Sequence, residues 1–98
     1  MLVTILEARV TSERWRLLTA SYRRGIKGLP LALLQTFLIQ DTKNPNVWRI
    51  ISEWRNREDY ARFTGENDNE ECCAAMFKAV GVVPTCRVFE LRAHHEHV

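Results

Sequence analysis

The chain is predicted to be an α+β domain with element order β-α-β-β-α(α)-β. Residues 2–10, 47–55 and 85–92 are rich in Val, Ile, Leu, Trp and Phe, with the alternation of strands. Residues 15–24 and 73–80 instead carry their apolar side chains at helical spacing. Clusters of Gly, Pro, Asn and Asp separate these segments where the chain must turn.

Residues 2–10 form the first strand. Thr11 or Ser12 then offers an N-cap, and Trp15, Leu18 and Tyr22 mark the buried stripe of a helix running to about residue 24. Gly25 and Gly28, followed by Pro30, stop it. The apolar run 31–41 is long enough for a helix, but Phe37, Ile39 and their neighbours favour a strand. Asp41-Thr42-Lys43-Asn44-Pro45-Asn46 is a turn cluster, so residues 47–55 complete a hairpin. Asn56 with Asp59 resembles a capping pair for a short helix ending near Gly65, with Tyr60 and Phe63 on its apolar edge. After a polar loop, Asp68 or Asn69 is the expected cap of the next helix. Its stripe is Cys73, Met76, Phe77 and Val80, and Gly81 ends it. Pro84 introduces the last strand, and residues 93–98 are expected to form a flexible tail.

Right-handed crossovers turn this order into a ferredoxin-like βαββαβ fold: a four-stranded antiparallel sheet, first and third strands central, helices on one face. The strands are apolar on both sides. Val3 and Ile5 oppose Leu2, Leu6, Ala8 and Val10. Leu33, Phe37 and Ile39 oppose Leu34 and Leu38, while Val47 and Ile51 oppose Trp48, Ile50 and Trp54. Such strands need cover on both faces, and one helical layer supplies only one. A second copy of the sheet is the natural lid, so a homodimer is expected. Glu7, Arg9, Arg49 and Glu53 fall on the less apolar side, either pairing across that interface or marking solvated strand ends.

Composition excludes several classes. With 46% hydrophobic and 27% charged residues, the 98-residue chain suits one globular domain. A net charge of +2, with signs interspersed, gives no basic face for nucleic acid. No apolar run approaches the length of a membrane span, and the N-terminus lacks the basic leader and cleavage site of a signal peptide; a cytoplasmic location is the expectation. Cys72, Cys73 and Cys86 form no disulfide framework and no spaced metal-ligand motif. They read as small buried hydrophobes, with a redox role for Cys72 as the alternative. His94, His95 and His97 lack a closed ligand set, so no metal is expected. Phosphate loops, nucleotide fingerprints and nucleophile elbows are absent.

Gly28-Leu29-Pro30-Leu31 before the second strand, and Val47-Trp48-Arg49-Ile50-Ile51-Ser52-Glu53-Trp54 running into Arg55-Asn56-Arg57-Glu58-Asp59-Tyr60, resemble the antibiotic biosynthesis monooxygenase family. The resemblance runs from residue 2 to about residue 91 and implies a dimeric α+β barrel over residues 1–92. It also implies oxidation of an electron-rich phenol, anthrone or quinol by molecular oxygen, without flavin or metal. The substrate would lie between the helices and the sheet. Trp15, Tyr22, Trp54, Phe63, Cys72, Met76 and Phe77 are the expected lining residues; core packing is the other reading of the same stripes. Haem-degrading relatives use an Asn, a Trp and a His, and the matching positions lie near Ala8, Phe63 and Cys72-Cys73. None of the three is retained, so haem chemistry is not expected. The general base is not identified by the sequence; Glu7 or Glu53 would serve if buried beside the pocket. Against the oxygenase stands a non-catalytic dimeric module that binds a ligand or partner on the same fold.

Overall fold

A computed structural model of the chain describes residues 1–64 and 71–97. The strands are β1 (Leu2–Arg9), β2 (Leu33–Gln40), β3 (Val47–Trp54) and β4 (Thr85–Glu90). The α-helices are α1 (Trp15–Gly25), α2 (Arg57–Thr64) and α3 (Ala74–Lys78). All pairings are antiparallel, in the order β2-β3-β1-β4, which puts β1 and β3 at the centre as expected.

Alternation along the two central strands divides the sheet. Leu2, Thr4, Leu6 and Ala8 on β1, and Trp48, Ile50, Ser52 and Trp54 on β3, are buried on the helical side. Leu18 of α1 and Phe77 of α3, both fully buried, close that core. The opposite face shows Val3, Ile5, Phe37, Ile39, Ile51 and Phe89, with Phe37 50% exposed and Ile39 40% exposed. The Glu7–Arg49 ion pair, at 2.7 Å, crosses this face in register, and Gln35 donates to Glu53 nearby.

Strand β2 departs from the expected register. A bulge between Leu33 and Gln35 sets Leu33 opposite Trp54 and Gln35 opposite Glu53. Leu33 is therefore buried on the helical side, whereas simple alternation had placed it with Phe37 and Ile39. The extra residue, Leu34, is left 50% exposed.

The helix starts also differ in detail. Neither Thr11 nor Ser12 caps with its side chain, because the Thr11 hydroxyl donates to Glu13 at 2.6 Å and holds that carboxyl below its usual range. A 3₁₀ turn, Ser12–Arg14, leads into α1 instead. The Asn56 cap does form: its Oδ1 accepts the Asp59 N–H at 2.8 Å. The expected caps at Asp68 and Asn69 lie outside the described residues. Helix α3 is only five residues long, yet it buries Met76 and Phe77 with Cys73 beside them. The turn that follows it carries Gly81, whose φ of +82° suits a residue without Cβ.

Three contacts fix α1 in the helical layer. Trp15 Nε1 donates to the Val10 carbonyl at 2.8 Å, Arg14 reaches the Val80 carbonyl at 3.1 Å, and Ser21 Oγ donates to the Met76 carbonyl at 2.8 Å. Gly25 lets Met76 approach closely; a Cβ there would sit 2.6 Å from the Met76 Cε. Among the described residues no helix is long and apolar enough to cross a membrane.

Candidate functional site

The helical face of the sheet carries polar side chains in one row. Thr36, Ser52 and Thr4 lie in register on β2, β3 and β1, and Thr4 and Ser52 are fully buried. Burying hydroxyls is unfavourable unless they are bonded, and this row is bonded throughout. Ser52 Oγ donates to Thr36 Oγ1 at 3.2 Å, and Trp54 Nε1 donates to Thr4 Oγ1 at 3.3 Å. Ser52 Oγ also meets Cys73 Sγ at 3.6 Å, which links the sheet to the turn before α3.

That turn holds a buried carboxylate. Glu71 is 1% exposed; its Oε1 accepts the Cys73 N–H at 2.9 Å and the Cys72 thiol at 3.2 Å. Its Oε2 has no hydrogen-bond partner among the described residues, a property it shares with Trp48 Nε1. The Cys72 thiol is pushed far above its usual pKa, first by its hydrogen bond with the Cys73 thiol, then by burial and the neighbouring negative charge. It is a protonated donor, not a ready nucleophile.

Cys72 also faces a groove of about 310 Å³ between α1 and α3. The other walls are Ser21, Gly25, Leu29, Ala75 and Met76, with Arg24 as the charged residue at the rim. Small residues on both helices open this space, and the close approach of Met76 to Gly25 sets its floor.

Of the seven expected lining residues, two line this groove, four belong to the core or pack against it, and Phe63 lies outside both. Cys72 and Met76 line the groove. Trp54 and Phe77 are fully buried, with Tyr60 edge-on to Trp54 at 5.2 Å between ring centroids. Phe63 is half exposed, its ring 6.2 Å from that of Trp54. Trp15 packs on Trp48 at 6.1 Å, and Tyr22 packs against the core from α1. Glu7 and Glu53 both lie on the opposite face of the sheet, away from the groove. Sequence reasoning missed Glu71, Arg24 and the Thr36–Ser52–Thr4 row. The row had a readable signal, since all three interrupt apolar strands at in-register positions; Glu71 had none, being one acid next to a polar loop.

The fold and groove define a ferredoxin-like α+β protein with a ligand-sized space in its helical layer. The chain belongs to the antibiotic biosynthesis monooxygenase family, whose model matches residues 1–76. Solved structures agree on the fold. A conserved protein from Methanosarcina mazei Go1 superposes with a TM-score of 0.70 at 10% identity, covering 93% of this chain and 92% of that one. A candidate antibiotic biosynthesis monooxygenase from Deinococcus radiodurans gives 0.67 at 12% identity, over 100% of this chain and 99% of the other. Another, from Chloroflexus aurantiacus J-10-fl, gives 0.65 at 19% identity, over 97% and 96%. No curated protein sequence matches the chain.

Proposed function

We propose that the chain is a cofactor-independent monooxygenase for a small electron-rich aromatic of the quinol or anthrone type, working as a homodimer. The observation that carries the reading is the apolar groove between α1 and α3 with one cation, Arg24, at its rim. Family membership supports it. An apolar pocket with few placed polar groups suits a flat aromatic ligand. A phenol entering with its hydroxyl at the rim meets the Arg24 guanidinium, which favours the phenolate over the phenol. The phenolate is electron-rich enough to pass an electron to O₂. In an anthrone, superoxide then bonds to the ring-methylene carbon of the radical, the peroxide takes up the proton that ionisation had released to solvent, and loss of water from that hydroperoxide converts the CH₂ to a carbonyl. One O₂ gives one carbonyl oxygen and one water, with all electrons from the substrate.

The opposite face of the sheet supports the dimer. Leu34, Phe37, Ile39 and Phe89 leave apolar surface bare there, flanked by the Glu7–Arg49 pair. A face-to-face copy would cover it; stable interfaces bury about 800 Å² per partner.

A second reading, a ligand-binding module without catalysis, is favoured by Trp54 and Phe77 being fully buried in a filled core instead of lining the groove. Oxygen uptake with a panel of reduced quinols and anthrones decides between them. Uptake above a mock preparation that falls at least tenfold in Arg24→Gln supports the oxygenase. Binding of the same compounds without uptake supports the module.

A further inference from the structure

We infer that Glu71, Cys72 and Cys73 form a binding site for a thiophilic divalent cation of the zinc class. Their donor atoms, one carboxylate oxygen and two sulfurs, all lie within 4.8 Å of one another. The second observation is independent of that clustering. Glu71 is 99% buried, yet its Oε2 has no partner among the described residues. A buried carboxylate oxygen without a partner is costly, and a cation held by both oxygens of this carboxylate, Oε1 beside the Cys72 sulfur at 3.2 Å and the unpartnered Oε2, would relieve it.

The geometry is close to what such an ion requires. Bonds of about 2.3 Å to sulfur and about 2.1 Å to oxygen place tetrahedral donors roughly 3.6–3.8 Å apart. The widest separation here must close by about 1 Å, within reach of side-chain rotation. Glu71 Oε1 is already held by the Cys73 N–H and the Cys72 thiol, which orients the carboxylate toward the sulfurs. Two sulfurs select zinc or cadmium over magnesium or calcium, which prefer oxygen alone. Cys73 is fully buried and backed by Ser52 at 3.6 Å, while Cys72 is partly exposed on the groove wall, so an ion enters from that side. Binding releases the thiol protons to solvent, and the three protein ligands leave a fourth position open. The proposal does not depend on the oxygenase reading, because its readout is metal binding.

Cobalt(II) titration of the reduced full chain tests it. His94, His95 and His97 are each changed to alanine in the starting protein, because the tail imidazoles would otherwise compete for metal. One equivalent of cobalt is expected to give a thiolate-to-cobalt charge-transfer band and the intense visible bands of a tetrahedral site, both displaced by zinc. Cys72→Ser and Cys73→Ser should each weaken the charge-transfer band and lower affinity at least tenfold. Glu71→Gln should lower affinity at least tenfold while the thiolate band remains, with circular dichroism confirming a folded chain in each case. Absence of the band, or a band that persists unchanged in both cysteine variants and so belongs to Cys86, overturns the proposal. Equal affinity in Glu71→Gln overturns the part assigned to the carboxylate.

Discussion

Replacing Phe37 by aspartate tests the proposed dimer face. Phe37 sits on the edge strand β2 opposite Ile51, which in turn faces Ile5 on β1, so it begins the apolar row that crosses this face. A phenylalanine side chain offers about 150–250 Å², and Phe37 is 50% exposed, so about 100 Å² remains to be covered. At about 25 cal/mol per Å², covering it contributes roughly 2.5 kcal/mol per copy. A twofold interface uses the residue twice, giving about 5 kcal/mol. With tenfold per 1.4 kcal/mol, Phe37→Asp should weaken the dimer by more than about 1,000-fold. Desolvating the new carboxylates adds to this loss. Sedimentation across a concentration series reads the effect, and far-ultraviolet circular dichroism checks that the subunit is folded. A folded variant whose dimer constant moves by less than tenfold, or a wild-type chain that stays monomeric at high micromolar concentration, refutes the reasoning.

Three further outcomes follow from single contacts. Thr4→Val keeps the side-chain shape but leaves the buried Trp54 Nε1 without an acceptor, so urea unfolding should show a loss of about 1–3 kcal/mol. Gly81→Ala forces an L side chain to a φ of +82° and should cost about 1–2 kcal/mol; the new Cβ would also lie 3.0 Å from Arg14 Nη1, the atom that bonds the Val80 carbonyl, and strain that contact. Asp41 accepts the N–H groups of Lys43 and Asn44, and these bonds hold its carboxyl below the usual range. Its contribution is present above the ordinary carboxylate pKa and is lost as pH falls through the depressed value. Asp41→Ala should therefore destabilise at neutral pH, and the gap to wild type should narrow in acid; a gap that widens on acidification contradicts the turn assignment.

Much of the architecture was legible because it depends on period. Strands β1 and β3 alternate cleanly, so their two faces could be read from Leu2–Val10 and Val47–Trp54 directly. The stripe through Cys73, Met76 and Phe77 likewise announced what α3 buries, although the helix itself is a single short turn. Strand β2 misled, because the bulge at Leu34 has no glycine or proline to mark it, and one extra residue moves Leu33 to the other face. The candidate site was less visible than the fold. Glu71 is buried by what folds over it, not by any pattern around it, and Arg24 gains meaning only from the groove between helices distant in sequence.

The displaced Leu34 also bears on where a foreign strand could pair with the sheet. β2 and β4 are the two edges of the sheet, where unpaired backbone groups invite a foreign strand. Along β2 the row of free amides and carbonyls is broken near its start, leaving only Gln35–Gln40 in unbroken register. Pairing by a newcomer stops at the bulge, and Gln35–Gln40, six residues without charge, glycine or proline, is the stretch on which it would form.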